Sequence, residues 1–248
     1  MCTECGCGKA NEHHHHDHGQ AHSHDHAHRV ADHTERVIKV QQNVLAHNDH
    51  IALHNREWLA ERGVLAINLI SSPGSGKTLL LEKTLEALNG KIQCAVITGD
   101  QQTDNDARRL AGKGATVHQI ETKTSCHLNA EQVAAALPEV INDDTQLLFI
   151  ENVGNMVCPT AFDLGEHFKV ALLSTPEGED KPEKYPVLFA TAKLALLTKM
   201  DLAETLEWDL KACQRSIQSV HPGMVTLKLS AKTGEGMDAW LDYLASLT

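Results

Sequence analysis

The chain has 248 residues, 42% of them hydrophobic, and a formal net charge of −11 with histidine neutral. This length accommodates one sizeable α/β domain with an appended segment. The negative charge argues against nucleic acid or an anionic membrane as a partner, because phosphate-rich surfaces repel it. No apolar run approaches the roughly 20 residues that cross a bilayer, and cysteines and histidines stand where a signal peptide would be apolar. We therefore expect a cytoplasmic protein whose seven cysteines are thiols or metal ligands.

Residues 1–33 differ from the rest of the chain because almost nothing apolar lies among them. This composition predicts a flexible tail that cannot bury enough surface to fold. Cys2, Cys5 and Cys7 place three sulfurs within reach of one late first-row divalent ion. The histidines after them have looser geometry and are predicted to hold several such ions weakly, more as a buffer than as a single site. They are His13, His14, His15, His16, His18, His22, His24, His26, His28 and His33. A purification tag or spacer is the alternative for the histidines, and a redox or zinc element is the alternative for the cysteines.

Residues 34–62 have apolar side chains at near-helical spacing. This pattern predicts one or two amphipathic helices, broken around Asn48-Asp49 and ended by Gly63. We expect them to pack on the following domain, with a partner subunit as the alternative. His47, His50 and His54 stand at i, i+3 and i+7, a spacing that suits either a metal site or a solvated face.

Residues 63–248 begin with an apolar run that leads into the glycine-rich segment from Ser71 to Thr78. A strand, a glycine loop and a helix in this order are typical of a P-loop, whose backbone N–H groups wrap a phosphate chain. Ser71 stands where the pattern usually has glycine or alanine. We expect Lys77 to reach the β- and γ-phosphates and the Thr78 hydroxyl to bind Mg²⁺. The predicted phosphate-binding residues are Pro73, Gly74, Ser75, Gly76, Lys77 and Thr78.

Strand and helix patterns alternate after the P-loop. Strands are predicted at 92–98, 115–120, 146–150, 168–174, 194–197 and 225–229, and helices at 102–112, 129–141, 203–220 and 236–246. This alternation predicts an α/β fold, a P-loop NTPase with a mostly parallel sheet flanked by helices. Ligands of such folds bind at the carboxyl ends of the strands.

Polar motifs follow four of these strands. Asp100 and Glu151 place carboxylates beside the phosphates, and one would complete the Mg²⁺ shell with Thr78 while the other orients or activates the attacking water. The residues alone leave open which does which. The predicted catalytic residues are Lys77, Asp100 and Glu151. Asp201 can accept the N1 and N2 hydrogens of guanine, which adenine lacks. The predicted base-binding residues are Lys199, Asp201, Ser230, Ala231 and Lys232.

A second group of possible metal ligands lies within this domain. Cys126 and His127 are adjacent, and Cys158 follows the glutamate motif. Three ligands leave a tetrahedral site incomplete, so a second chain, water or a partner would finish it. Buried thiols with a capping histidine are the alternative. Cys94 and Cys213 are predicted to be core thiols.

The motifs resemble the HypB family of hydrogenase maturation GTPases along nearly the whole chain. The resemblance rests on Cys2 to Cys7 with the histidine tail, Asn48-Asp49-His50, Asn55-Arg56, Ser71 to Thr78, Gly99-Asp100, Cys126-His127-Leu128, Glu151 to Asn155, Cys158-Pro159 and Asp201. It implies a SIMIBI-type GTPase that dimerises across bound GTP. It implies a tight nickel site at Cys2, Cys5 and Cys7, and a nucleotide-responsive nickel or zinc site at Cys126, His127 and Cys158.

The same resemblance implies that GTP binding and slow hydrolysis to GDP and phosphate control nickel delivery to the large-subunit precursor of [NiFe] hydrogenase. The implied partners are the small accessory protein HypA and, in some organisms, a His-rich prolyl isomerase. One departure is Thr198, where many members have asparagine. We expect guanine specificity to persist, somewhat weakened by the loss of a brace. The alternatives are a urease accessory GTPase similar to UreG, a nickel storage or buffer protein with a regulatory nucleotide domain, and a small-molecule kinase.

Overall fold

The computed structural model describes residues 26–100 and 105–247, with side chains described from residue 39 onward except at position 41. The predicted ligands Cys2, Cys5 and Cys7 and the histidines from His13 to His24 lie outside the described residues. The side chains of His26, His28 and His33 also lie outside this description. The predicted division into a tail at 1–33, helices at 34–62 and a GTPase domain at 63–248 therefore stays a prediction.

The domain is built on a seven-stranded parallel sheet, which confirms the predicted α/β class. The strands are β1 (Leu65–Ser71), β2 (Cys94–Asp100), β3 (Ala115–Glu121), β4 (Leu147–Glu151), β5 (Phe168–Ser174), β6 (Leu194–Thr198) and β7 (Val225–Lys228). Their spatial order is β3-β2-β4-β1-β5-β6-β7. Strand β1 lies between β4 and β5. After β1 the chain first forms β2, β3 and β4 on one side of this strand, and then crosses to form β5, β6 and β7 on the other side. Parallel α/β sheets bind ligands at such a point.

Helices cover both faces of the sheet. They are α1 (His26–Glu61), α2 (Lys77–Leu88), α3 (Asn105–Leu110), α4 (Ala130–Val140), α5 (Cys158–Ala161), α6 (Lys181–Lys184), α7 (Pro186–Thr191), α8 (Leu210–Val220) and α9 (Met237–Ala245). Successive residues of a strand enter opposite cores: Ile67 and Leu69 of β1 pack against α2 and α9, whereas Ala66 faces the other core. Helices α1 and α4 pack on the other face, and α7 and α8 pack beside them. The buried Trp240 ties α9 to α2 by donating a 2.9 Å hydrogen bond to the Thr84 hydroxyl.

Helix α1 corrects one expectation about the segment 34–62. The predicted break at Asn48-Asp49 is wrong, because the helix continues through both residues to Glu61. Asparagine weakens an isolated helix, but the Asn48 side chain here is buried and bonded to other elements. The expectation that this segment packs on the following domain is confirmed, since Ala52 and Leu59 are fully buried.

The predicted helix at 203–220 is shorter than expected. A 3-10 turn occupies Met200–Leu202, and α8 begins only at Leu210. Asp209 caps this helix, because its side chain accepts a 3.0 Å hydrogen bond from the Ala212 N–H. Glu207 has a positive φ of 50°, which interrupts the helical backbone between the two elements.

Candidate functional site

The segment from Ser71 to Thr78 joins the end of β1 to the start of α2 as a P-loop. Gly74 and Gly76 have φ values of 72° and 96°, in the left-handed region that favours glycine. Gly76 is the residue immediately before the first turn of α2. The unpaired N–H groups of this first turn and the glycine backbone face the same space, which is the arrangement that binds phosphate.

Ser71, the departure at the first P-loop position, is fully buried and holds the loop together. Its hydroxyl oxygen accepts hydrogen bonds from Lys77 Nζ, at 2.8 Å, and from the Ser75 hydroxyl. Lys77 is itself 8% exposed. Burial lowers the pKa of Lys77, because removal from water disfavours the ammonium, and attraction to Glu151 opposes the shift. A bound phosphate would supply the counter-charge that this ammonium needs.

The Glu151 carboxylate lies at the carboxyl end of β4, where it is 2% exposed. It accepts hydrogen bonds from the Thr78 hydroxyl at 2.8 Å and from the Thr98 hydroxyl at 3.4 Å. Burial raises the pKa of Glu151 to about 7, although the Lys77 charge and the two hydroxyls oppose the shift. The hydroxyl of Thr78 and the Glu151 carboxylate form an all-oxygen donor set that suits Mg²⁺.

A cavity of about 610 Å³ opens over the P-loop. Lys77, Thr78, Asp100 and Glu151 line it, so the predicted catalytic residues converge on one space. Asp106 and Arg109 of α3, which the sequence did not single out, line the same cavity. The Arg109 guanidinium is paired with Glu82 at 3.0 Å.

A second cavity, of about 190 Å³, adjoins the first on the side of β6 and β7. The predicted base-binding residues Lys199, Asp201, Ser230, Ala231 and Lys232 all line it. Ser230 orients the Asp201 carboxylate by donating a 2.7 Å hydrogen bond to its Oδ1. Lys199 lines both cavities, so a single nucleotide could place its base in the smaller cavity and its phosphates in the larger.

Thr198 explains how the P-loop is braced without the asparagine common at that position. Its hydroxyl donates a 2.8 Å hydrogen bond to the Ser75 carbonyl of the P-loop. Both residues are buried. The expected loss of a brace is thus wrong in one respect, because threonine makes a connection between the base-binding motif and the phosphate loop.

The structure brings Cys126, His127 and Cys158 together. One ligand atom from each of the three lies within 4.8 Å of the others, and Cys126 Sγ is 3.7 Å from His127 Nδ1. His127 is buried against Phe162, with ring centroids 3.9 Å apart, whereas both cysteines are partly exposed. Soft thiolates with an imidazole suit Ni²⁺ or Zn²⁺. The alternative of buried thiols with a capping histidine does not fit, because Asn129 caps α4.

The cluster of Cys126, His127 and Cys158 adjoins the cavity over the P-loop. Cys126 itself lines the phosphate cavity. The Asn152 side chain, next to Glu151, accepts a 3.2 Å hydrogen bond from the N–H of Leu128, which follows His127. No sequence pattern indicates a role for Asn152 itself. Its position next to Glu151, a predicted catalytic residue, was the one available signal.

Two asparagines of α1 hold the chain just after His127. Asn48 accepts a 2.9 Å hydrogen bond from the Ala130 N–H and donates one to the Asp163 carbonyl at 2.7 Å. Asn55 donates hydrogen bonds to the carbonyls of Ala130 and Leu164, at 2.8 and 3.0 Å. Helix α1 therefore fixes the first turn of α4, which begins three residues after His127.

Cys94 and Cys213 are buried in the two cores, as predicted. Burial raises the pKa of each thiol to about 12, so both stay protonated and unreactive. Among the described residues, no helix has both the length and the apolar character needed to span a membrane.

This fold and these two adjoining cavities define a P-loop nucleotide-binding protein with a thiol and imidazole cluster at the edge of its phosphate site. Residues 65–228 match the family described as CobW/HypB/UreG, nucleotide-binding domain. The chain belongs to this family, and within it to the HypB hydrogenase maturation factors, as the following relatives show.

The hydrogenase maturation factor HypB of Escherichia coli strain K12 is 50% identical over 209 residues, which cover 84% of this chain and 72% of the relative. The crystal structure of HypB from Helicobacter pylori in complex with nickel superposes with a TM-score of 0.77 at 34% identity, covering 80% of this chain and 94% of the other. The crystal structure of HypB from Archaeoglobus fulgidus has the same TM-score at 36% identity, covering 82% and 100%. The resemblance stated from the motifs is thereby confirmed.

Proposed function

We propose that this protein is a GTPase that couples GTP binding and hydrolysis to nickel delivery into the [NiFe] hydrogenase large subunit. One observation carries the proposal. Cys126 lines the phosphate cavity and also belongs to the cluster with His127 and Cys158. A phosphate chain in that cavity would lie against a proposed metal ligand, which supports coupling between the two sites.

In the proposed complex, the P-loop backbone and Lys77 hold the phosphates of GTP, and Asp201 reads guanine. Thr78, with Asp100 or Glu151, would hold Mg²⁺, which neutralises phosphate charge when bound. The remaining carboxylate orients the attacking water, and the products are GDP and phosphate. The Ser230 hydroxyl supports the guanine assignment by fixing Asp201.

We expect the intrinsic rate of hydrolysis to be slow. Fast hydrolysis in P-loop GTPases needs a cation that stabilises charge on the transferred phosphoryl group. Among the described residues, Arg109 is the one arginine that lines the phosphate cavity. Its guanidinium already forms an ion pair with the Glu82 carboxylate at 3.0 Å. Turnover then waits on dimerisation or on a partner.

The bonds of Asn152 provide the physical route of coupling. A shift of Glu151 on nucleotide binding moves Asn152, and Asn152 bonds the chain next to His127. Cys158 lies on the same connection beyond β4. The affinity of Cys126, His127 and Cys158 for their metal would then differ between GTP and GDP, and metal must change nucleotide affinity by the same factor. In this proposal nickel is the cargo, and zinc competes for the same ligands.

The family membership suggests the setting for this switch. We propose a cytoplasmic GTP-dependent homodimer that works with a HypA-type accessory protein and the hydrogenase large-subunit precursor, and with a His-rich prolyl isomerase where the organism has one. In this scheme Cys2, Cys5 and Cys7 hold nickel tightly and the histidine tail buffers it weakly.

The test of the nucleotide assignment is hydrolysis measured as phosphate release, with GTP and with ATP, on the full chain. We expect slow GTP turnover, no competition by ATP at comparable concentration, and loss of turnover in Lys77→Ala. The same substitution at the exposed Lys91, Lys91→Ala, in the turn beyond α2, serves as the control. Equal affinity for ATP would refute the guanine assignment, and a rate of tens per second without a partner would refute the gated switch.

A further inference from the structure

Two histidines on α1, outside the site described above, face each other through their Nε2 atoms. His50 and His54 are one helical turn apart on an exposed face. Their Nε2 atoms are 3.3 Å apart, and the ring centroids are 4.6 Å apart at an interplanar angle of 79°. The rings therefore meet through their nitrogens and do not stack.

This separation fits two ligands of a single ion. Imidazole nitrogens bind late first-row divalent metals at about 2.0–2.1 Å, so two of them at a tetrahedral angle lie about 3.3–3.4 Å apart. Histidines at i and i+4 of a helix are a recurring metal-binding pair, because the helix carries both on one face. The present nitrogens are already at that distance without a change of backbone.

The Glu57 carboxylate lies next to the ring nitrogen of His54 that does not face His50. His54 Nδ1 lies 3.4 Å from Glu57 Oε2, and the two side chains are 61% and 60% exposed. A metal-ligating histidine commonly donates its other ring N–H to a carboxylate, which fixes the tautomer and leaves the far nitrogen free to bind metal. Glu57 is placed to do this for His54, and its charge also favours a cation nearby.

The pair stands on the helix that leads towards the thiol cluster. His47, one turn before His50, lines a cavity of about 300 Å³ together with His127. His47 of α1 and the buried His127 of the cluster thus line the same cavity.

We propose that His50 and His54 form a further binding site for a late first-row divalent ion, oriented by Glu57 and completed by water. The site is distinct from Cys126, His127 and Cys158 and needs no nucleotide. Imidazole ligands give it a preference for Ni²⁺, Cu²⁺ or Zn²⁺ over Mg²⁺ or Ca²⁺. The proposal does not depend on GTP hydrolysis.

The test is carbethoxylation of histidines by diethyl pyrocarbonate on the full chain, read residue by residue by peptide mass spectrometry during titration with NiCl₂. A metal-bound imidazole nitrogen does not react. We expect His50 and His54 to become protected together, at one midpoint. His221, whose Nδ1 lies 3.0 Å from the Phe189 carbonyl, is the control that keeps its reactivity. MgCl₂ should protect neither member of the pair.

The matched variants are His54→Gln and His50→Gln, which remove one ligand from an exposed helix face and are checked for folding by far-UV circular dichroism. Losing one ligand of a chelate should raise the midpoint for the remaining histidine by about tenfold or more. The proposal is overturned if His50 stays reactive when the tail histidines are fully protected. It is equally overturned if His50 is protected at the same nickel concentration in His54→Gln as in the unsubstituted chain.

Discussion

Replacing Thr198 by valine removes one hydroxyl and almost no volume. That hydroxyl donates a 2.8 Å hydrogen bond to the Ser75 carbonyl and connects the end of β6 to the P-loop. Thr198 is 3% exposed and Ser75 is 1% exposed, so water does not readily take the place of the lost donor. The substitution tests whether this bond holds the loop in its binding geometry.

The size of the effect follows from the bond. A single buried hydrogen bond contributes a net stability of about 0.5–1.5 kcal/mol. The free energy of unfolding should fall by about 1 kcal/mol, which lowers the melting temperature of a chain of this size by about 2–4 °C. If the same free energy is needed to order the loop when GTP binds, the affinity for GTP falls about twofold to tenfold.

The assay is thermal unfolding together with titration of a fluorescent GTP analogue in Mg²⁺. Thr198→Ser is the matched control, because it keeps the hydroxyl and loses only the methyl group. We expect serine to bind as threonine does and valine to bind more weakly. If valine matches threonine in both measurements, or if serine is the weaker variant, the hydroxyl is not the brace and the argument fails.

Three further predictions concern neighbouring contacts. Asn152→Ala removes the acceptor for the Leu128 N–H, so the difference in nickel affinity between the GDP and GTP states should shrink; a full difference would rule out this bond as the route. Gly154→Ala places a Cβ 2.8 Å from the P-loop backbone, so GTP binding should weaken, as a nucleotide titration would show. Burial by itself would raise the pKa of Asp163. The hydrogen bonds and the charge of Arg56 lower it by more, so the pKa lies below its usual value. Its contribution to stability is therefore present above about pH 4 and lost as the pH falls through the lowered pKa, so Asp163→Asn should destabilise the fold at about pH 6 and much less at about pH 3, as urea unfolding would show.

The fold was largely predictable because its signals are local. Apolar runs followed by glycine, asparagine or aspartate mark buried parallel strands and their ends. The P-loop sequence determines a turn, a helix start and a phosphate site at once. Asn129 and Gln132 form the capping box that starts α4, one residue inside the predicted range.

The errors arose where a tertiary contact overrides a local preference. Asn48 was read as a helix break, but its amide is bonded to the backbone of two distant segments, which offsets its low helix propensity. The brace at Thr198 joins residues far apart in the sequence, and no periodicity can show such a pair. The roles of Asn152 and Arg109 likewise depend on which loops meet at the sheet edge.

The convergence of Cys126, His127 and Cys158 was predicted from residue type and from position after strands. What the residues alone did not show is that Cys126 also lines the phosphate cavity. That shared wall depends on the order of β2, β4 and β1 in the sheet. It is the observation on which the proposed link between nucleotide and metal rests.

The most direct test of this link is the nickel dissociation constant at the cluster, measured in a full chain whose Cys2, Cys5 and Cys7 are replaced by serine. The measurement is made with Mg²⁺ and either GDP or a non-hydrolysable GTP analogue, and Cys126→Ser in the same background identifies the signal of the cluster. We predict constants that differ by about fivefold or more between the two nucleotides, the range typical of coupled sites. Equal constants, with the Cys126-dependent signal present in both, would contradict the account.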